Sequence, residues 1–307
     1  MSEMLRNELA GDPMARIKWG KKRRKRITIP KLTTEGDDIA LSGPFANRSL
    51  AEIFHGREFG SADFRDFKLI DLATAEEIAK VKSIQKLSVW NKITRPAFSK
   101  LMKTPGLKEA IVLEFRGFGR MRDFEHAIDV ETFRSFHPLA TADITQVVKL
   151  PKLHTLVAHS AEFGLKATDK IQAVETLRSV DFESALFNHD MAKLLSRSKA
   201  LTHLGLPATQ ITSDGLKYIS QMPQLTYLDI WANGFDADDL DVLSGHPNLE
   251  IIELGGDGND LRPRRLAGAY ILKLEKLPAL TTVYFDGVKT TDEEAAYLSS
   301  RYKFRIC

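Results

Sequence analysis

Residues 201–235 read LTHLGLPATQITSDGLKYISQMPQLTYLDIWANGF, and the pattern Leu-x-x-Leu-x-Leu occurs in them twice. It falls at Leu201, Leu204 and Leu206, and again at Leu225, Leu228 and Ile230. Period-2 geometry turns Leu204 and Leu206 to one side of a short strand and Gly205 to the other. After Ile211, the run Thr212-Ser213-Asp214-Gly215 suits a helix start, and Leu216, Ile219 and Met222 follow at three-residue spacing before Pro223. One strand and one helical return limb per period make a coil that cannot bury its apolar face alone, so neighbouring coils must cover one another.

The same pattern extends in both directions. Copies begin at Leu153, Leu177, Leu201, Leu225 and Leu249, evenly spaced, and a last one begins at Leu280 after seven inserted residues. All three key positions are apolar in all six copies. Met191, Leu194 and Leu195, and later Leu240 and Leu243 before Pro247, repeat the return limb. Upstream, Ile84, Leu87 and Val89 fit, and Leu107 follows Ile84 at nearly the same step, but LKEAIVLEF can be read with either Val112 or Leu113 inward. Phe133 to Phe136 reads as a further copy, which makes the steps 26 and then 20 and leaves residues 116–132 as an insertion rich in Gly and Arg. Before about residue 65 the periodicity vanishes. LSGPFANRSLAEIF reads there as a turn and short helix, and TDEEAAYLSS near the other end as a helix before a closing strand from Tyr302 to Ile306.

These residues resemble the leucine-rich repeat family, in particular its bacterial-type repeats of about 24 residues, written L-x-x-L-x-L-x-x-T-x-I-T-x-x-G-L. The resemblance implies an α/β fold, a curved solenoid horseshoe with parallel strands on the concave side, helices on the convex side and an N-terminal cap. The expected domains are a basic arm at 1–30, a cap at 31–66 and repeats at 67–307, degenerate over 67–152 and regular over 153–300. The family's Asn after the strand is present at Asn233, while Ala161, Ala185, Thr209, Asp257 and Val288 hold the equivalent places.

The 307 residues are 43% hydrophobic and 28% charged, with no apolar run near the roughly 18 residues of a spanning helix. The net charge is +3, yet residues 1–31 hold ten Lys or Arg against three acids, so the remainder is net negative. Lys21, Lys22, Arg23, Arg24, Lys25 and Arg26 form the densest run, beside Trp19. Such a run serves a nuclear-import signal or a phosphate-backbone contact, or else is a solvated arm. A single cysteine, Cys307, and no apolar stretch behind a basic start set the expectation of a reducing, cytoplasmic compartment.

Catalytic signatures are missing: no H-E-x-x-H, G-x-S-x-G or G-x-x-x-x-G-K occurs, and no pair of cysteines. No enzyme activity, cofactor, metal or small-molecule substrate is expected. Gly255-Gly256-Asp257-Gly258-Asn259-Asp260 resembles a calcium-binding nonapeptide, but one copy without a stacked neighbour reads as a loop. His137, His159 and His203 sit at outward strand positions, where convergence on a metal needs a geometry that spacing alone does not give.

Function is expected on the outward strand positions, which stack into columns about 4.8 Å apart. From the coil at Leu153 to that at Leu280 they carry Asp181, Glu183, Asp229, Glu253 and Asp286, no Lys or Arg, and the aromatic Tyr227, Trp231 and Tyr284; Trp90 holds such a position upstream. Aromatic anchors beside charge of one sign fit a basic protein partner. One concrete form is an antidote protein that blocks a basic, nucleic-acid-cutting toxin. The alternative is a regulatory adaptor whose basic arm contacts nucleic acid. No membrane contact is expected.

Overall fold

The computed structural model describes residues 31–43, 45, 47–65, 67, 69–116, 127–255, 264–265, 268–286 and 288–306. Two compact units divide the chain, one within residues 26–178 and one within residues 179–307.

The first unit is a ladder of strands, one per coil. It opens with an antiparallel hairpin of β1 (Lys31–Glu35) and β2 (Asp38–Ser42). From β2 onward every pairing is parallel, through β3 (Glu58–Arg65), β4 (Ser83–Thr94), β5 (Glu109–Arg116), β6 (Thr132–Ser135) and β7 (Thr155–Ala158). The register aligns two inward rows. Ile39, Ala62, Leu87, Ala110, Phe133 and Leu156 form one, and Leu41, Phe64, Val89, Val112, Ser135 and Ala158 the other. All twelve side chains are buried. Ser135 is tolerated in this apolar row because its hydroxyl donates to the His137 carbonyl at 3.0 Å.

The structure changes one expectation, resolves one open alternative and extends the ladder upstream. The copy expected at Phe133 begins at Val130, which is fully buried, because Phe133 pairs with Leu156 and so holds the second key position rather than the first. The spacing from Leu107 to Val130 then equals that from Val130 to Leu153. Val112 takes the inward row on β5. The parallel ladder also continues upstream of residue 65, through β3 and β2, where the leucine pattern has faded. Most of the expected Gly- and Arg-rich insertion, residues 117–126, lies outside the described residues.

In the second unit β8 (Ser179–Asp181), β9 (His203–Gly205), β10 (Tyr227–Asp229), β11 (Ile251–Gly255), β13 (Thr282–Asp286) and β15 (Lys303–Ile306) pair in parallel. His203, Tyr227 and Ile251 align in register, one repeat apart. The inward row Val180, Leu204, Leu228, Ile252 and Val283 is buried throughout, each side chain contributing about 2 kcal/mol through removal from water. A separate two-stranded ladder pairs β12 (Arg264–Arg265) with β14 (Val288–Lys289).

Return limbs follow the sequence expectation. The helix Ser213–Ile219 is preceded by Thr212 in extended backbone and buries Leu216 and Ile219. A 3-10 helix spans Ala237–Leu243, where Asp236 and Asp239 form a capping box. The helix Asp292–Arg301 is capped by Thr291 and Glu294 and leads into β15, which closes the unit. Both units therefore stack coils of one strand and, in most coils, one helix, a plan like that of leucine-rich repeats.

The turns after β7, β8, β9 and β10 explain how those coils close without a continuous Asn ladder. Ser160, Ser184, Ala208 and Ala232 recur once per repeat in left-handed backbone, with φ between 51° and 58°. Asn233 donates to the carbonyls of Leu206, Ile230 and Trp231, while its Oδ1 accepts from Thr209 N at 2.9 Å and from the Thr209 hydroxyl at 3.0 Å. One Asn with one Thr thus serves two coils.

Candidate functional site

The outward face of the second unit holds two rows. The first runs Ser179, His203, Tyr227, Ile251, Thr282 and Lys303, and the second Asp181, Gly205, Asp229, Glu253, Tyr284 and Arg305. Asp181, Tyr227, Asp229, Glu253 and Tyr284 are thus brought onto adjoining rungs of one face, as the column reading expects. Glu183 and Trp231 lie two residues beyond Asp181 and Asp229. The backbone of Asp286 pairs with Gly255. The closing strand adds Lys303 and Arg305, two cations that the columns ending at Asp286 did not include.

The depth of these acids corrects the expectation of a solvent-facing cluster. Asp229 is 1% exposed and Glu253 8%. The cause is local hydrogen bonding. Asp229 Oδ1 turns back to accept from Trp231 N at 3.0 Å, and Asp181 Oδ1 accepts from Glu183 N at 3.0 Å in the same way two coils earlier. Glu253 Oε1 accepts from the Tyr227 hydroxyl at 2.5 Å. Gly205 makes room between the two aspartates, because a Cβ there would stand 3.1 Å from Asp181 Cγ. Parity in the strand decides which face a side chain takes, but these bonds decide how far it reaches into water.

Burial shapes the electrostatics. It pushes the Asp229 carboxyl well above the ordinary carboxylate range, and the neighbouring Glu253 and Asp181 add to the rise, while the hydrogen bond from Trp231 N opposes it. The Tyr227 hydroxyl is also driven upward, first by burial and then by Asp229 and Glu253, so it remains a donor. His203 stacks on Tyr227 with ring centroids 5.7 Å apart, and burial lowers its pKa. Trp231 is half-buried, and its indole Nε1 is shielded from solvent with no acceptor among the described residues.

The first unit presents a different face. Glu109 is held between Arg134, at 3.0 Å, and Lys86, at 3.4 Å, so charge is balanced within the strands. Trp90, expected to join the binding surface, belongs to this unit. It stacks on Phe136 at 6.2 Å, and Phe136 meets His159 edge-on at 5.0 Å. Its indole Nε1 also lacks an acceptor among the described residues. His159 and His203 are thus taken up by aromatic neighbours, and among the described residues no group of three or more His, Cys, Asp or Glu could hold a metal ion. A groove of about 570 Å³ on the helix side of the same unit is lined by residues including Lys149, Lys166, Lys170 and Glu175. Lys21, Lys22, Arg23, Arg24, Lys25, Arg26 and the loop 256–260 lie outside the described residues.

No family model matches the chain, and no curated protein matches it. Among solved structures it is similar to an internalin from Listeria monocytogenes, with 13% identity and a TM-score of 0.48, over 88% of this chain and 82% of that one. The register and the buried rows are what make the fold like that of leucine-rich repeats. Among the described residues no helix is long and apolar enough to cross a membrane.

Proposed function

We propose that this chain is a non-enzymatic protein-interaction protein that grips a basic protein partner on the acidic, aromatic strand face of residues 179–307. One observation carries the reading: Asp181, Asp229 and Glu253 share a row beside Tyr227 and Trp231, and beyond burial itself the neighbouring Glu253 and Asp181 raise the proton affinity of Asp229. A buried carboxylate held in like company gains most from an incoming cation, because desolvated charge pairs interact more strongly than exposed ones. The half-buried tyrosine and tryptophan add apolar area at low conformational cost. The specific form is an antidote that covers the nucleic-acid-binding surface of a basic toxin inside the cytoplasm. That form rests on charge complementarity alone.

The test is capture of partners from cell extract by the wild-type chain and by a Trp231→Ala, Asp229→Lys double variant, with identification by mass spectrometry. The reading expects a captured protein of basic character that the double variant loses. An unchanged captured set removes the face from consideration.

A further inference from the structure

The strand ladder of the first unit begins at β1, and among the described residues β1 has β2 as its one strand neighbour. The hairpin turn makes Glu35 and Asp38 a facing pair, and antiparallel bonding alternates from there, so the N–H and C=O groups of Leu32 and Thr34 point away from β2. Leu32 and Thr34 also face Leu41 and Ile39, the first members of the two buried inward rows. Leu41 is fully buried, but Leu32 beside it is 46% exposed. Thr33, Thr34 and Glu35 are exposed as well. An open strand edge next to an uncovered apolar end is a template for one more strand.

The sequence of β1 decides which strand fits. Lys31-Leu32-Thr33-Thr34-Glu35 begins with a cation, ends with an acid and has a β-branched residue at its centre. Laid antiparallel on itself about Thr33, it sets Lys31 of each copy opposite Glu35 of the other. Leu32 then falls opposite Thr34, and these are the residues whose main-chain groups point off the edge. Directly opposed residues share a face, so Leu32 of both copies falls on the inward side, where the two apolar rows end. A parallel pairing in register would instead set Lys31 beside Lys31 and Glu35 beside Glu35.

We propose that two copies of this chain pair antiparallel through β1, on a two-fold axis at Thr33, and join the strand ladders of their first units. The contact is isologous and closes at two copies, because each β1 edge is then used. A pair of five-residue strands lies below the roughly 1,200–2,000 Å² of a stable interface, so the dimer is weak, with a dissociation constant on the order of 100 μM. It uses no residue of the strand face of the second unit, and it stands whether or not that face binds a basic partner.

The test is analytical ultracentrifugation of the full chain from about 10 μM to about 500 μM, a range that brackets such a constant. The wild-type chain is expected to pass from monomer to dimer across it. Glu35→Lys sets like charges opposite each other and is expected to weaken the dimer by about tenfold. It does not act by loosening the hairpin, because it places a cation opposite Asp38. Adding Lys31→Glu restores opposite charges across the axis and is expected to return the dimer to within about threefold of wild type. Cross-linking reads the register. In a Cys307→Ser background, Thr33→Cys sets two cysteines at a pair with Cα atoms about 4.5 Å apart, and oxidation is expected to give a covalent dimer. Thr34→Cys, offset from its counterpart by two residues, is expected to give none. A chain that stays monomeric throughout, the result if another segment covers the edge, overturns the proposal. So does a dimer indifferent to Glu35→Lys or not restored by the double reversal, or cross-linking equal at positions 33 and 34.

Discussion

The Tyr227 hydroxyl on β10 donates to Glu253 Oε1 on β11 at 2.5 Å, a diagonal contact that fixes an aromatic ring and a carboxylate of neighbouring coils as one piece. Removing the hydroxyl leaves the ring packing nearly intact and withdraws a donor from a buried carboxylate. Tyr227→Phe is expected to lower stability by about 1–3 kcal/mol, read as a drop in the urea midpoint without change in slope.

Asp229 carries the opposite sign. Its folded-state pKa is raised, so at pH 7 the ionised form opposes folding, and that penalty fades as pH falls through the folded value toward 3.8. Asp229→Asn keeps an Oδ1 acceptor for Trp231 N and removes the charge. It is expected to stabilise the chain by about 1–3 kcal/mol at pH 7, with the gain vanishing near pH 4, while weakening capture of a cationic partner. Urea midpoints at several pH values, beside a binding measurement, check both halves. A gain in stability with a loss in binding is the mark of a residue kept for function.

His246 sets an acid limit. It is buried, its Nε2 lies 3.0 Å from the Met222 carbonyl, and burial lowers its pKa below 6.5. Stability from this group is complete above about pH 6.5 and is lost as pH falls below that value through the folded pKa. The wild-type chain is therefore expected to lose more stability between pH 7.5 and 5.5 than His246→Gln does, measured by the shift of the urea midpoint.

Ala208 and Ala232 occupy left-handed backbone, at φ 51° and 58°, where a Cβ is disfavoured by roughly 1–2 kcal/mol. Ala208→Gly is expected to raise the unfolding midpoint, by up to about 1 kcal/mol after the entropy of glycine is counted. Ala208→Val, β-branched in the same conformation, is expected to lower it by more than that.

Leu204, Leu228 and Ile252 announced their row because each recurs at the same step, and the structure buries all three. Val130 is hard to read because a valine in the lead position breaks the leucine pattern, and Phe133, three residues on, offers itself as the lead residue instead. Strands β2 and β3 were missed for a related reason: Ala62 fills the inward row opposite Leu87 with a small side chain that carries no repeat signal. The face of Asp229 was readable from period-2 alternation, but its depth was not. That depth depends on the bond to Trp231 N and on the contact between Tyr227 and Glu253, which join positions that spacing alone does not connect.

The most direct measurement is zero-length carbodiimide cross-linking of the captured complex, which joins carboxylates to lysines in contact, followed by mapping of the linked peptides. The account predicts links from Asp181, Glu183 or Glu253 to lysines of a basic partner, suppressed by high salt. Links confined to acids on the helix side, such as Asp214 or Asp241, with none to the strand face, would contradict it.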